Sequence, residues 1–160
     1  MPLAHTSISR DYTPNADRAR AAFGRRLIAA VVALACAGVL GLAAWLPASP
    51  TGVGTHQALR LPPCGWIAIA GVPCPTCGMT TAFAHAADGH FLASVNAQPL
   101  GFLLALGTAI ALLVSLHVAV TGSRLGWAFT RLWGRYTGWV VAALVVAAWG
   151  YKIISYKGWL

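Results

Sequence analysis

Three long apolar runs dominate the pattern of hydrophobic and polar positions along the chain. They cover residues 27–46, 100–120 and 138–154, and the first two contain no formally charged side chain. A helix rises about 1.5 Å per residue, so roughly twenty apolar residues cross the hydrocarbon core of a bilayer. The third run is shorter and has Lys152 near its end, where a long side chain is expected to reach toward the lipid headgroups. The pattern predicts an all-α membrane protein with three transmembrane helices.

The segment between the first two runs is more polar and is expected to form a loop over residues 47–99. Its apolar stretch from Gly65 to Val72 is too short to cross a membrane and suits the interface. Farther on, apolar residues recur with helical spacing on one face, at Ala84, Ala87, Phe91, Leu92 and Val95. This spacing predicts a short amphipathic interfacial helix after the Cys-Pro-Thr-Cys turn. Gly89 weakens the middle of this helix.

Composition supports a membrane protein, since 58% of the 160 residues are hydrophobic and 9% are charged. The formal net charge of +8 raises the possibility of nucleic-acid binding. The basic residues form no continuous patch, however, and lie beside the apolar runs, where such residues usually orient a span. The lipid bilayer is therefore the expected partner, and no nucleic acid is expected.

The distribution of basic residues predicts the orientation of the spans. One side of the predicted membrane carries Arg10, Arg18, Arg20, Arg25, Arg26, Arg124, Arg131 and Arg135, whereas the other carries Arg60, Lys152 and Lys157. Because basic residues are retained in the cytoplasm, we expect a cytoplasmic N-terminus and an extracytoplasmic C-terminus. The alternative, a cleaved signal peptide over the first run, is disfavoured because that run is longer than the apolar core of a signal peptide.

The predicted organisation follows from these spans. It comprises a disordered basic cytoplasmic tail (1–26), a first transmembrane helix (27–46), an extracytoplasmic loop with the cysteine motif and the interfacial helix (47–99), a second transmembrane helix (100–120), a basic cytoplasmic loop (121–137), a third transmembrane helix (138–154) and an extracytoplasmic tail (155–160).

The four cysteines divide into two groups. Cys36 lies within the first run and is expected to pack as a small apolar residue. Cys64, Cys74 and Cys77 fall in the predicted outer loop, where disulfides persist if the compartment is oxidising. If Cys77 lies in the first turn of the following helix, the positive end of that helix would stabilise its thiolate.

Three roles remain open for these outer cysteines. Cys64 pairs with Cys74 or Cys77 in a disulfide that staples the loop, or the three thiols serve redox chemistry. Alternatively they hold a metal ion, for which His85 is a further candidate ligand. A single two-residue gap between cysteines is a weak signal that fits all three roles, so the cofactor, a metal ion, haem or none, stays unknown from the sequence.

The same region resembles a known family. The resemblance rests on Cys64, on the block Gly71-Val72-Pro73-Cys74-Pro75-Thr76-Cys77-Gly78-Met79-Thr80-Thr81-Ala82, and on Gly89 and Gln98-Pro99. These residues resemble a bacterial family of small membrane proteins catalogued as domain of unknown function family 2752. The resemblance implies a bacterial inner-membrane location and carries no established reaction. The residues expected to shape the motif are Pro73, Pro75, Gly78, Thr80, Gly89 and Pro99.

Two functions are compatible with these observations. The scarcity of catalytic side chains favours a non-enzymatic scaffold or accessory subunit of a membrane complex, with a membrane protein partner or a second copy of the chain. Small residues on the second span, including Gly101, Ala105 and Gly107, would allow close helix contacts. The alternative is an extracytoplasmic thiol-disulfide or metal-handling protein that uses Cys74 and Cys77 with Cys64.

Overall fold

The protein is described by a computed structural model that covers residues 14–123, 134 and 136–158. The described residues form helices joined by turns. The elements in chain order are α1 (Pro14–Trp45), a 3-10 helix (Thr55–Leu59), α2 (Gly65–Ala70), α3 (Met79–Ala87), α4 (Phe91–Ala97), α5 (Pro99–Thr121) and α6 (Thr137–Tyr156).

Three of these helices are long and apolar enough to cross a membrane, namely Arg18–Trp45 within α1, Pro99–Thr121 and Thr137–Tyr156. Large apolar side chains such as Leu34, Leu113 and Val146 are exposed along them. Exposure of this kind is expected where lipid replaces water as the surrounding solvent. The predicted all-α membrane protein with three transmembrane helices is confirmed.

Helix α1 begins earlier than the sequence suggests. Residues 14–26, which fall in the predicted tail, belong to this helix. Proline is tolerated in a first helical turn, and the alanines and arginines that follow Pro14 are good helix formers. The rest of that predicted tail, 1–13, lies outside the described residues, as do most of the predicted basic loop and the final two residues of the chain.

Helices α1 and α5 pack against each other along much of their length. At one end, the Arg25 side chain donates hydrogen bonds to the Gly122 carbonyl, at 3.4 Å from Nε and 3.3 Å from Nη2. Arg26 donates to the Thr121 carbonyl at 3.5 Å. Cations at the C-terminal end of a helix satisfy its last carbonyls and complement its dipole. The basic start of α1 and the end of α5 therefore lie on the same side.

The single interfacial helix expected after the cysteine turn is two helices, α3 and α4. Gly89 lies between them with φ +78°, a left-handed conformation that glycine adopts readily. Thr81, Ala82 and Ala84 of α3 are buried against the rest of the protein, whereas Phe91 and Leu92 on α4 are exposed. Small side chains occupy the buried face of α3 because this helix packs closely on α1 and α5.

Helix α6 makes few contacts with the other helices and meets α5 only weakly. Its attachment is polar and lies near its C-terminal end. Trp149, Tyr151 and Lys152 each donate hydrogen bonds to backbone carbonyls of the segment between α1 and α5. This third helix therefore fastens to the cysteine-bearing segment through side chains that reach sideways from the span.

Candidate functional site

The Cys-Pro-Thr-Cys segment forms a turn that precedes α3. The Cys77 amide donates to the Cys74 carbonyl at 3.0 Å, and the Met79 amide donates to the Thr76 carbonyl at 3.1 Å. Helix α3 begins at Met79, with Gly78 as its N-cap. Cys77 therefore lies before the helix, so the condition under which the positive end of α3 would stabilise its thiolate is not met.

Gly78 is required by two features of this turn. Its φ of +88° is left-handed, and a Cβ atom at this position would lie 2.7 Å from the Gly52 carbonyl oxygen and 2.9 Å from that of Ala97. Both distances are shorter than real Cβ contacts, and L residues with a side chain rarely adopt this φ. The glycine thus lets the turn sit directly on two other backbone segments.

Cys64 joins this turn from the preceding helix. It is the N-cap of α2, and the sulfur atoms of Cys64, Cys74 and Cys77 all lie within 4.8 Å of one another. The Cys74 and Cys77 sulfurs are 3.2 Å apart in hydrogen-bonding contact, and Thr76 Oγ1 lies 3.2 Å from the Cys74 sulfur. All three residues are thiols in this arrangement. We call these three residues the cysteine cluster.

The thiols of the cluster differ in acidity. Partial burial opposes ionisation of Cys64, but hydrogen bonds from the Ile67 amide, from the Cys77 and Cys74 thiols and from the Cys74 backbone outweigh it and lower its pKa from 9.0 to about 6. Burial, together with hydrogen bonds to the Cys74 and Cys64 sulfurs, raises the pKa of Cys77 to about 12. Of these two thiols Cys64 is therefore favoured for ionisation, whereas burial disfavours the thiolate of Cys77.

A cavity of about 360 Å³ lies against Cys64 and Cys77. Polar side chains of His56, Gln57 and Tyr156 are among its lining residues. Its position gives small solutes a route to the cluster, although Cys77 itself is only 7% exposed.

A half-buried indole and a buried amide hold the prolines of the turn. Trp149 of α6 donates its indole N–H to the Pro73 carbonyl at 3.0 Å, and its ring stacks edge-on with Trp66 at 5.9 Å between centroids. Gln98 is fully buried and donates from Nε2 to the Pro75 carbonyl at 3.2 Å. Buried amides and indoles need such partners, so both side chains fix the turn as well as fill space.

Lys152 lies behind the turn, and its predicted reach toward the headgroups is wrong. The side chain is 4% exposed, and its Nζ donates to the Gly52 carbonyl at 3.0 Å and to the Ala97 carbonyl at 2.8 Å. A Cβ atom on Gly78 would lie 3.0 Å from Nζ, so the ammonium sits against the residue that follows Cys77. Because carbonyl acceptors lie within reach, the buried placement of the Lys152 ammonium is more favourable than its placement in solvent.

The other predicted site residues occupy separate places. His85 is not among the residues whose ligand atoms cluster with the three sulfurs. Instead it lines a second cavity of about 360 Å³ together with Lys152, and its Nδ1 is buried without a hydrogen-bond partner. Thr80 is exposed, and Pro99 occupies the first turn of α5. Cys36 is half-buried in α1 and belongs to no such cluster among the described residues.

Sequence reasoning missed Gln98, Trp149 and Lys152 as parts of the site. Lys152 carried a usable signal, because an ionisable residue within an otherwise apolar span marks a functional position by default. Gln98 carried a weaker one as part of the Gln98-Pro99 pair on which the family resemblance rests. Trp149 gave none, since tryptophan near the end of a span is commonplace at membrane interfaces.

The comparisons with curated proteins and with solved structures returned no significant match. Residues 58–112 match the family described as Protein of unknown function (DUF2752), which confirms the resemblance expected from the cysteine block. Trp149 and Lys152 lie outside the matched segment. The match covers about a third of the chain, and this part includes all three clustered cysteines.

Proposed function

We propose that the protein is a membrane-embedded metal-binding protein whose cysteine cluster holds a thiophilic metal ion. The observation that carries this proposal is the approach of three cysteine sulfurs to within 4.8 Å of one another. The adjoining cavity of about 360 Å³ supplies access. The bound ion serves storage, delivery or stabilisation of the fold. Which of these roles applies depends on the molecule that donates the ion to the cluster or accepts it from the cluster.

The spacing of the sulfurs suits a single ion. A metal that bonds each thiolate at about 2.3 Å places neighbouring sulfurs about 3.8–4.0 Å apart in tetrahedral or trigonal geometry. The sulfur atoms of the cluster span 3.2 Å to 4.8 Å, so small rotations of the side chains bring all three to bonding distance. Soft thiolate ligands favour zinc, copper(I) and related ions over magnesium or calcium.

The location proposed for the protein is the bacterial inner membrane, with the N-terminus in the cytoplasm and the cluster outside. Two observations support this orientation. Basic residues concentrate near the start of α1 and after α5. Arg25 and Arg26 also bond to the last carbonyls of α5, so the two basic regions share one side, while the cluster lies beyond the opposite ends of these helices.

Thiol-disulfide exchange is the second candidate, and the contact of 3.2 Å between the Cys74 and Cys77 sulfurs favours it. In that reaction a thiolate of the cluster attacks a disulfide of another protein and forms a mixed disulfide. The second thiolate then displaces the partner's sulfur, so the cluster becomes a disulfide and the partner's disulfide becomes two thiols.

The scaffold or accessory role remains a prediction. Packing within the chain reduces the number of small residues on α5 that are available to a partner. Gly101 and Ala105 are buried inside the chain, where Gly101 contacts Ala82, and both are thus used for internal packing. Gly107 is exposed and remains open to a membrane protein partner or a second copy of the chain.

A metal-binding experiment separates these functions. Detergent-solubilised protein, reduced and freed of metal, is titrated with Co²⁺ while sulfur-to-cobalt charge-transfer absorption is recorded. We expect one ion per chain for the wild type, loss of this absorption in Cys64→Ser, Cys74→Ser and Cys77→Ser, and unchanged binding in Cys36→Ser. A parallel titration with copper(I) covers ions that prefer lower coordination.

Each alternative has its own result in this experiment. Wild-type protein that binds neither ion but shows a dithiol titrating reversibly in a redox buffer contradicts the metal proposal and supports thiol-disulfide exchange. Protein that shows neither property, yet is recovered with a stoichiometric membrane protein partner after mild solubilisation, supports the scaffold.

A further inference from the structure

Lys152 is the most heavily buried charged side chain that the structure describes, and the metal-binding proposal does not by itself account for it. An ammonium withdrawn from water is costly unless an opposite charge and hydrogen-bond acceptors compensate for it. Nζ has two carbonyl acceptors, those of Gly52 and Ala97, which leaves one of its three N–H bonds without a hydrogen bond. Carbonyls satisfy donors but carry no net charge.

Within the part of the chain that the structure describes, no carboxylate is seen to balance this ammonium. The chain has three acidic residues, of which Asp11 and Asp17 precede the first span. The third, Asp88, is exposed at the end of α3. The cavity beside Lys152 is lined by neutral and basic side chains, including His85, Asn96 and Ser155.

Among the described residues near Lys152, the cysteine cluster is the remaining source of negative charge. Cys77 interacts electrostatically with Lys152, and Gly78, the residue after Cys77, lies against its Nζ. A metal ion bound by three cysteines requires them as thiolates, and such a complex of a divalent ion keeps one negative charge. One ammonium nearby cancels this charge.

We infer that the ammonium of Lys152 is the counter-charge of the cysteine cluster, so that the cluster takes a divalent thiophilic ion and is electrically neutral when loaded. This inference rests on the proposed metal-binding function and specifies its metal class. A monovalent ion in the same set of three thiolates leaves one uncompensated negative charge in a poorly hydrated site, which is unfavourable. Lys152 acts here as a positioning residue, because it stabilises the ligands without contacting the ion.

The test compares Co²⁺ affinity at one pH in four variants of the full chain in detergent. Lys152→Gln keeps a donor for the carbonyls but removes the charge, and Lys152→Met removes both. Lys152→Arg retains the charge. Tyr151→Phe is the matched control, since it removes the neighbouring bond from α6 to the Asn96 carbonyl and leaves every charge in place.

We expect the Co²⁺ affinity of Lys152→Gln and Lys152→Met to fall about tenfold or more, as loss of a nearby opposite charge requires. Lys152→Arg and Tyr151→Phe should stay close to the wild type. The charge-transfer intensity at saturation should be unchanged throughout, because the same three thiolates bind the ion. Circular dichroism establishes that each variant is folded, and Lys152→Gln serves where Lys152→Met does not fold.

Several outcomes would overturn the inference while leaving the proposed function intact. One is equal Co²⁺ affinity in the wild type and the folded neutral variants. Another is an equal loss in Tyr151→Phe, which would show that attachment of α6 matters and the charge does not. Wild type that binds copper(I) but not Co²⁺ refutes the divalent assignment, whereas wild type that binds neither ion refutes the proposed function itself.

Discussion

Cys64 and Cys77 show how different two thiols become when their sulfur atoms lie within 4.8 Å of each other. Cys64 lies beside a cavity and receives hydrogen bonds, so its pKa is about 6. Cys77 is buried, so its pKa is about 12. Near neutral pH Cys64 is thus a thiolate in the metal-free cluster, and that thiolate is the natural first ligand for an incoming ion.

Alkylation of the metal-free, reduced protein tests this difference. The thiolate is the reactive form, so Cys64 should react fully above its pKa and lose reactivity as the pH falls through about 6. Cys77 should react slowly up to alkaline pH. Reaction of iodoacetamide at each cysteine, followed by mass spectrometry of peptides between pH 4 and 10 (roughly the range that brackets ordinary thiols), measures both profiles.

The variant Cys77→Ala sharpens the result. Alanine removes one of the hydrogen-bond donors that stabilise the Cys64 thiolate, so the midpoint for Cys64 should move upward. Cys36→Ser is the control and should leave the midpoint in place. A midpoint near 9 for Cys64 in the wild type would contradict the arrangement of hydrogen bonds described above.

At the scale of elements, the approach of α3 to α5 sets the position of the cysteine turn. Gly101 on α5 faces Ala82 on α3, and a Cβ at Gly101 would lie 2.8 Å from the Ala82 Cβ and 3.3 Å from the Met79 Cα. Since α3 begins directly after Cys77 and Gly78, any displacement of α3 displaces the cluster. Close helix packing through small residues is thus tied to the geometry of the sulfurs.

The substitution Gly101→Ala should therefore destabilise the protein by about 1–3 kcal/mol, as overpacking of a tight contact does. Gly107→Ala, on the same helix with open space around it, should be neutral or slightly stabilising because alanine favours helix. Thermal unfolding in detergent, followed by circular dichroism, measures both changes.

A compensating variant checks the cause. Adding Ala82→Gly to Gly101→Ala removes the opposing methyl group and should recover part of the lost stability. No recovery, or equal melting temperatures for Gly101→Ala and Gly107→Ala, would show that this contact does not limit the packing of α3.

For the whole molecule, the basic end of the α1–α5 pair and the cysteine cluster lie at opposite ends. The proposed orientation predicts that a membrane-impermeant maleimide labels Cys64 in intact cells after reduction. A variant in which Arg18→Cys, at the basic end, supplies the one cysteine and the native cysteines are replaced should be labelled only after permeabilisation. The reverse pattern would invert the orientation, and the cluster would then face the cytoplasm.

The parts of this architecture that hydropathy determines were predictable. The apolar runs predict three spans because a helix that crosses a bilayer is recognised mainly by its length and apolarity. Gly89 marked the weak point of the predicted interfacial helix, since glycine weakens a helix wherever it falls, and α3 and α4 separate there. The nearness of Cys74 to Cys77 follows from their spacing in the chain.

The remainder depends on contacts between distant residues, which local patterns do not encode. Lys152 bonds to carbonyls 55 and 100 positions away, and the indole of Trp149 bonds to one 76 positions away. Thr81 looked like part of a polar face, yet it is fully buried because its hydroxyl bonds to that of Thr55 at 2.8 Å. Such pairs become visible only once the segments have been folded onto each other.

The polar attachment of α6 also has a consequence for the order in which the protein is made. Synthesis proceeds from the N-terminus, so the cysteines leave the ribosome well before Trp149 and Lys152 exist. Until α6 has been inserted, the turn lacks both the indole that holds Pro73 and the ammonium behind Gly78. The last helix to arrive is thus the one that completes the site, and a nascent chain carries its cysteines uncovered until biogenesis is finished.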